Sequence, residues 1–135
     1  MNTDSAARPV RLIIAGGRDF TDYQALKVAM RMFGDDHFVM FDQITVICGM
    51  ARGADLLGLE WANEFGAGLV KMPAWWRGEN GNGPYNRGAG HQRNERMAQT
   101  ATHLLAFWNG VSTGTKNMIN LGEKYKLNGK VIRYD

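Results

Sequence analysis

Cysteine, histidine and proline are scarce in this sequence, and long apolar runs are absent. The 135 residues include one cysteine, Cys48, with three histidines and three prolines. A single cysteine excludes an internal disulfide framework and fits a reducing compartment. The spacing of the cysteine and histidines indicates no metal site, and no apolar run is long enough to span a bilayer. The polar N-terminus also lacks the apolar segment of a secretory signal, so the expectation is a cytoplasmic protein without a membrane partner.

Two common nucleotide-binding motifs are also missing. No Gly-Lys-Ser/Thr sequence occurs, so the usual phosphate loop of ATP-hydrolysing enzymes is not supported. No turn has the G-x-G-x-x-G spacing that binds NAD or FAD, which disfavours both dinucleotides. No cofactor is therefore indicated, and any nucleotide site must be built from other turns.

The composition describes one basic globular domain. Apolar residues make up 44% of the chain and charged residues 21%, with a net charge of +3 and a pI near 9.2. The length fits a single domain at 10–135, preceded by a flexible tail at 1–9. The positive charge suits an anionic ligand, but no run of five or more Lys or Arg residues occurs. The charge therefore allows nucleic acid as a partner but does not favour it.

Strand-like and helix-like segments alternate along the chain. Apolar runs predict strands, and helically spaced apolar residues predict helices. The predicted strands are 10–15, 44–48, 68–72, 103–108 and 130–134, and the predicted helices are 21–33, 54–65, 89–100 and 113–125. Thr21 or Asp22 should cap the first helix and Gly34 should end it, with Met30 and Met32 packed in the core.

This alternation predicts an α/β fold built from right-handed βαβ units. We expect a single Rossmann-like, three-layer domain with a mostly parallel five-stranded sheet in the order 3-2-1-4-5. The topological switch point, where such sheets bind ligands, would then lie between the first and fourth strands.

The first, second and fourth strands each end in a glycine-rich turn that opens a helix. The turns are Gly16-Gly17-Arg18-Asp19, Gly49-Met-Ala-Arg52-Gly53-Ala-Asp55 and Gly110-Val-Ser112-Thr-Gly114-Thr115. In a parallel sheet all three lie at the carboxyl edge. Glycines there leave room for a phosphate or a ribose, arginines can pair with phosphate, and aspartates can accept hydrogen bonds from ribose hydroxyls.

Each turn also has a purely structural interpretation. Gly16 and Gly17 could only tighten the turn, with Asp19 as a helix cap. Asp55 is equally suited to the start of a helix, where the macrodipole favours a carboxylate. Ser112 is an ordinary N-cap residue. The combination of three such turns in one short chain favours a built site for an anion or a nucleotide.

A long Gly- and Asn-rich loop at 74–88 separates the third strand from the third helix. Loops of this length are usually lids or insertions, and we expect this one to order on ligand binding. Trp75, with Trp76 and Tyr85, could stack on a base or could pin the loop to the sheet edge.

The start of the third helix supplies further candidates. Arg93 and Asn94 are expected to reach the crevice, whereas Arg96 and Glu95 would form a solvated pair. His91 lies near the helix start, where it could exchange protons or simply be an inert surface residue.

Together these segments resemble the YspA/YpsA-related branch of the SLOG superfamily, which includes the SMF/DprA and LOG proteins. The resemblance runs from about residue 11 to residue 133. It rests on the three turns together with Pro73-Ala-Trp75, Gly90, Arg93-Asn94, Met97 and Phe107-Trp108. It implies a Rossmann-like fold that binds nucleotides or nucleotide-derived ligands. Compared with the family that the chain resembles, the segment 79–86 looks like an insertion.

The resemblance also implies two alternative activities. LOG proteins cleave the N-glycosidic bond of nucleoside monophosphates, and Arg93 falls where their catalytic arginine stands, so Arg93 and Asp19 would be catalytic if this chain is an enzyme. Their Gly-Thr turn is followed by a glutamate, and here Met118 occupies that position, which weakens the case for hydrolysis. DprA proteins bind single-stranded DNA.

The leading hypothesis is a protein, serving for instance as a sensor, that binds a nucleotide or a nucleotide-derived phosphorylated ligand at the carboxyl edge of the sheet. The alternatives are an N-glycosidic-bond hydrolase acting on nucleoside monophosphates or ADP-ribose-like ligands, and a module that binds single-stranded DNA. The sequence allows a homo-oligomer without specifying one.

Overall fold

The computed structural model describes residues 8–134, which form one sheet with helices on both sides. The strands are β1 (Val10–Gly16), β2 (Ile44–Cys48), β3 (Gly68–Lys71), β4 (His103–Trp108) and β5 (Asn128–Arg133). The α-helices are α1 (Tyr23–His37), α2 (Ala54–Phe65), α3 (Ala89–Thr100) and α4 (Thr113–Lys124), and a short 3-10 helix covers Phe41–Gln43. The predicted α/β class is confirmed. Residues 1–7 of the predicted tail, and Asp135, lie outside the described residues.

All neighbouring strands run parallel, in the order β3-β2-β1-β4-β5. This confirms the predicted order and puts the topological switch point between β1 and β4. Gly16 at the end of β1 lies beside Phe107 of β4. The glycine-rich turns after these two strands are therefore neighbours at the carboxyl edge.

Helices cover both faces of the sheet, as the three-layer prediction requires. Alternate residues of β1 point to opposite faces: Leu12 and Ile14 pack with α1 and α2, and Ile13 and Ala15 pack with α3 and α4. The largest buried side chains that the helices contribute are Leu26, Met30, Trp61, Met97 and Met118. No helix within residues 8–134 is long and apolar enough to cross a membrane.

Helix α1 begins as predicted but ends later. The Asp22 carboxylate caps it by accepting a hydrogen bond from the Ala25 amide at 3.0 Å. The prediction that Gly34 ends the helix is wrong, because the helix continues to His37 and is capped by Phe38 with a left-handed φ of 55°. The Gly34 carbonyl accepts from the Val39 amide at 3.1 Å, and a Cβ on Gly34 would approach the Val39 carbonyl oxygen to 3.2 Å. Gly34 thus lets the chain fold back across the helix.

The assignment of Met32 to the core is also wrong. Met32 is 48% exposed, whereas Met30 is buried. Two residues correspond to about 200° around a helix, so the two methionines lie on opposite sides of α1. Strand β5 starts two residues earlier than predicted because the Asn128 amide donates to the Thr102 carbonyl at 3.1 Å and Asn128 pairs with His103.

Candidate ligand-binding cavity

A cavity of about 790 Å³ opens at the carboxyl edge of the sheet, at the topological switch point. Its volume lies in the range of sites for small molecules. Most of the residues singled out in the sequence line it together: Gly16, Gly17, Arg18, Asp19, Arg52, Asp55, Arg93, Asn94, Ser112, Gly114 and Thr115. Nine residues outside the predicted ligand-binding set also line it: Ala15, Ala51, Trp76, Arg87, Gly90, His91, Asn109, Thr113 and Met118. Of these, the sequence had offered Trp76 as a stacking residue and His91 as a proton-exchanging one.

Four predicted ligand-binding residues do not line this cavity. Gly49 lines a smaller neighbouring cavity. A Cβ on Gly53 would approach the Gly17 carbonyl oxygen to 2.3 Å, so Gly53 allows two turns to pack together. A Cβ on Gly110 would meet the Arg133 guanidinium at 2.4 Å. Trp75 packs elsewhere, as described below.

Other parts of the protein fill the space beside the two glycines at the end of β1. A Cβ on Gly16 would lie 2.6 Å from the Phe107 carbonyl oxygen and 2.8 Å from the Ala54 Cβ. A Cβ on Gly17 would collide with the Tyr134 hydroxyl. Gly16 and Gly17 therefore bring β4, α2 and the C-terminal strand close to the turn, which favours the structural interpretation of their missing side chains.

Asp19 is held at the cavity by Tyr134, the residue that follows β5. The Tyr134 hydroxyl donates to Asp19 Oδ1 at 2.6 Å, and the Tyr134 ring packs against Phe20 with centroids 5.0 Å apart. Burial, together with the hydrogen bond to Asp19, raises the pKa of Tyr134 to about 12. Tyr134 therefore stays protonated and keeps donating to the Asp19 carboxylate at any physiological pH.

Asp55 places a buried carboxyl group in the cavity wall. It is 8% exposed, and its Oδ2 accepts a hydrogen bond from the Ala51 amide at 3.2 Å. The N-cap of α2 is Gly53 rather than Asp55. Burial raises the pKa of Asp55 from 3.8 to about 6, against the opposing effects of Arg93 and the Ala51 amide. Asp55 is thus a buried cavity carboxyl group that exchanges its proton near pH 6.

Arg93 is fixed on the other side of Gly49. Its Nη1 donates to the Gly49 carbonyl, and its Nε donates to Asn94 Oδ1 at 2.9 Å. Asn94 in turn donates to Asn117 Oδ1 at 2.9 Å, which connects α3 to α4. Burial lowers the pKa of Arg93 while the Asp55 carboxylate opposes that shift. The guanidinium is therefore positioned by its hydrogen bonds to Gly49 and Asn94 before any ligand arrives.

The start of α4 presents backbone amides to the same cavity. Asn109 Oδ1 accepts from the Val111 and Ser112 amides, both at 2.9 Å, and the Ser112 hydroxyl accepts from the Thr115 amide at 3.3 Å. The remaining amides of a first helical turn have no acceptor within the helix. A Cβ on Gly114 would meet no atom within 4 Å, so this turn faces open space.

The residues Gly110-Val-Ser112-Thr-Gly114 also have the G-x-S-x-G spacing of a hydrolase nucleophile turn. The structure gives Ser112 the role of N-cap, with an ordinary φ of −56° and a contact of 3.0 Å to the Thr115 hydroxyl. Among residues 8–134 no histidine is hydrogen-bonded to the Ser112 hydroxyl, as the base of such a nucleophile would be.

The contacts of Trp75, Arg96 and Glu95 differ from those predicted. The Arg96 guanidinium lies 4.1 Å from the Trp75 ring centroid and donates to the Pro73 carbonyl at 3.2 Å. Trp75 is thus packed against α3, whereas the sequence interpretation offered the sheet edge or a base as its partner. The prediction of an Arg96–Glu95 pair is wrong, because Glu95 instead binds Lys124 at 3.0 Å and accepts a hydrogen bond from the Tyr125 hydroxyl.

Neither Cys48 nor a metal cluster contributes chemistry to the cavity. Cys48 is fully buried, and burial raises the pKa of its thiol to about 11, so it is a packing residue at neutral pH. Within residues 8–134 no group of three His, Cys, Asp or Glu side chains is placed to hold a metal ion.

The fold and the cavity define a Rossmann-like α/β protein with a ligand-type crevice at its topological switch point. The chain belongs to the YspA, cpYpsA-related SLOG family, whose sequence pattern matches residues 10–78. No curated protein matches the sequence significantly.

Two solved structures resemble the whole fold. DNA processing protein A (DprA) from Streptococcus pneumoniae matches 99% of this chain with a TM-score of 0.71 and 13% identity. The chain spans about half of that protein, 53% of its length. DNA processing protein A from Helicobacter pylori, described for its single-stranded DNA binding mode, matches 99% of this chain and 70% of its own, with a TM-score of 0.67 and 15% identity. At these identities the likeness establishes the fold.

Proposed function

We propose that this protein binds a nucleotide or a nucleotide-derived phosphorylated ligand in the cavity at the carboxyl edge of the sheet. The observation that carries the proposal is the convergence of four arginines, Arg18, Arg52, Arg87 and Arg93, around one cavity that also receives the first turn of α4. The only carboxylates among the described lining residues are Asp19 and Asp55, so an anionic group would meet excess positive charge. Membership of the SLOG family supports the same conclusion.

The phosphate would bind at the first turn of α4. Open backbone amides and the helix dipole favour an anion there, and the space in front of Gly114 admits one. The hydroxyl groups of Thr113 and Thr115 add hydrogen-bond donors, and both residues line the cavity. Asp19, with one oxygen bound to Tyr134, keeps a second oxygen that can accept from a ribose hydroxyl.

Binding without turnover fits these residues better than hydrolysis. The position where the LOG resemblance expects a glutamate holds Met118, which is buried and lines the cavity. A thioether can neither move a proton nor stabilise a developing cation as a carboxylate does. Binding of single-stranded DNA, described for the Helicobacter pylori relative, is the other alternative, and a cavity of about 790 Å³ favours a mononucleotide-sized ligand over a polymer.

The test is a thermal-shift panel of nucleoside phosphates, ADP-ribose and cyclic nucleotides, with the matching nucleosides as controls. A ligand present at 100 to 1,000 times its Kd should stabilise the fold by about 3 to 4 kcal/mol. Arg18→Ala should weaken binding, and Arg31→Ala should not, because Arg31 is an exposed arginine of α1 outside the cavity.

Two outcomes would contradict this proposal. Equal stabilisation by nucleosides without phosphate would show that the arginines and α4 do not recognise an anion. Binding of a single-stranded oligonucleotide without binding of any mononucleotide in the panel would establish the nucleic-acid alternative.

A further inference from the structure

A second cavity of about 530 Å³ adjoins the first one, between the turn after β2 and the start of the loop at 73–88. The two cavities have several lining residues in common and therefore form one continuous cleft: Arg18, Ala51, Arg52, Trp76 and Arg93. A ligand that occupies both cavities must be elongated and must pass the arginines at their junction.

The two ends of this cleft differ in chemistry. The residues found only in the second cavity, Gly49, Met50, Pro73 and Ala74, carry no charged, hydroxyl or amide side chain. The end of the first cavity at α4 is lined by Ser112, Thr113 and Thr115 together with amide side chains. Ligand sites combine apolar walls with a few placed polar groups, so this cleft suits a molecule with an apolar ring at one end and an anion at the other.

Trp76 stands where the two cavities meet. It is 38% exposed and lines both of them. Tyr85 lies nearly parallel to its ring, at 10° with centroids 6.0 Å apart, and the Trp76 carbonyl accepts from the Asn86 amide at 2.6 Å. A Cβ on Gly90 would approach the Trp76 ring to 3.3 Å, so the indole also lies against the start of α3. The indole is therefore a supported aromatic surface at the junction.

Trp75, the preceding residue, provides the contrast. It has the same exposed fraction, 38%, but its ring lies against the Arg96 guanidinium and it lines neither cavity. Two adjacent tryptophans of equal exposure thus differ in whether they face the cleft.

We propose that the second cavity holds the planar heteroaromatic ring of the ligand against Trp76, while the phosphate of the same molecule lies at the first turn of α4. The ligand class is then a nucleotide that is recognised through its base as well as its phosphate, and not a sugar phosphate alone. This inference rests on the proposed function and deepens it. Stacking of a base on an aromatic side chain typically strengthens binding by about 5- to 150-fold, and it does not select strongly among bases.

The experiment compares AMP with ribose 5-phosphate as probes, measured by isothermal titration calorimetry on the full chain. The wild-type protein should bind AMP at least about 10-fold more tightly than ribose 5-phosphate. Trp76→Leu should bring the affinity for AMP down to that for ribose 5-phosphate and leave the latter unchanged. Trp76→Phe should restore most of the difference, and Trp75→Leu should preserve it. Thermal unfolding of each variant verifies that it is folded.

The quenching of tryptophan fluorescence provides a second readout. AMP should quench the wild-type protein and Trp75→Phe, and the quenching should be largely lost in Trp76→Phe, because only Trp76 would stack on the base. If AMP and ribose 5-phosphate bind equally to the wild type, or if Trp76→Leu leaves the AMP preference intact, the ring subsite is refuted while the phosphate site stands. If neither probe nor any nucleotide of the thermal-shift panel binds, the proposed function and this inference fail together.

Discussion

Polar groups at the amino end of the parallel sheet are paired with one another, whereas those at the carboxyl end line a cavity. At the amino end, the Arg11 amide donates to the Thr102 hydroxyl at 2.9 Å, and the Arg11 Nε donates to the Thr100 carbonyl at 2.6 Å. His103 contacts the Thr102 hydroxyl at 2.7 Å and packs against His37. At the carboxyl end, charged and amide groups line an open cavity instead. One end of the sheet is closed by its own side chains, and the other leaves its polar side chains around an open cavity.

The backbone shows the same difference. Positive φ values at the amino end belong to residues just after helices, Phe38 and Gly66, where a left-handed residue commonly ends a helix. At the carboxyl end they fall in the strand-to-helix turns, at Met50 (66°), Gly53 (86°) and Gly110 (86°). Tight turns there keep the strand ends and helix starts close to the cavity.

The largest effect is expected from Gly16→Ala. Its Cβ would lie 2.6 Å from the Phe107 carbonyl oxygen, and a backbone atom cannot move aside cheaply. We expect the free energy of unfolding to fall by about 3 kcal/mol or more, measured by urea denaturation. Gly114→Ala is the matched control, because its Cβ meets no atom within 4 Å. It should leave stability nearly unchanged and weaken binding of phosphorylated ligands.

This pair separates two roles that the sequence assigned to both glycines. If Gly16→Ala folds with unchanged stability but loses its ligand, then Gly16 serves close approach of the ligand after all. If Gly114→Ala binds like the wild type, the phosphate does not lie at the first turn of α4.

Asp55, at the carboxyl end of the sheet, should make the folded protein more stable at acidic pH than at neutral pH. Its pKa is about 6 in the folded protein against an ordinary value of 3.8, so between these values the folded state binds more protons than the unfolded state. The contribution is therefore full below pH 4 and is lost as the pH rises through 6, with a span of about 3 kcal/mol. Unfolding measured from pH 4 to pH 8 in the wild type and in Asp55→Asn isolates it as the difference between the two curves. A flat difference would mean that Asp55 is not desolvated.

His103, at the amino end of the sheet, should make stability depend on pH in the opposite direction and more weakly than Asp55 does. Burial, together with the charge of His37, lowers the pKa of His103 below 6.5. The unfolded state then binds more protons as the pH falls, so stability is present above 6.5 and is lost as the pH drops through the folded-state pKa. Removing this group in His103→Gln should make stability between pH 5 and 7 less sensitive to acid. Equal acid sensitivity in both proteins would contradict the expectation.

Much of the fold could be predicted because local and global signals agree. The apolar run at 44–48 predicted β2 with the bounds that the structure shows. Gly66 likewise predicted the end of α2 at Phe65. The end of α1 could not be predicted, since Gly34 normally signals a stop and its packing against the Val39 segment depends on tertiary structure. Met32 was misplaced because its apolar character was given more weight than its spacing, which puts it about 200° around the helix from the buried Met30.

The location of the candidate site could be predicted from the sequence, but the packing around its residues could not. The turn after β1, the start of α2 and the first half of α3 bring Arg18, Asp55 and Arg93 to one cavity. The sequence could not distinguish Gly16, whose space is filled by Phe107, from Gly114, whose space is open. The sequence offered Trp75, Trp76 and Tyr85 together as residues that could stack on a base, but it could not show that Trp76 rather than Trp75 faces the cavity. Loop residues have no periodicity that indicates direction, and Arg87 was missed for the same reason.

The smallest effect is expected from an assay of hydrolysis, for which the prediction is no appreciable turnover. AMP, GMP, CMP and ADP-ribose would be incubated for long periods with micromolar protein and analysed by chromatography for free base. Cleavage of the N-glycosidic bond develops positive charge on the sugar, which a carboxylate normally stabilises, and Met118 at the expected position supplies none. Asp55 lies in the same cavity, but it is engaged by the Ala51 amide, and Asp19 is bound by Tyr134. Release of base that disappears in both Arg93→Ala and Asp19→Asn would contradict this prediction. It would establish an enzyme whose carboxylate comes from the β1 turn, and the carboxyl end of the sheet would then be a catalytic site as well as a binding one.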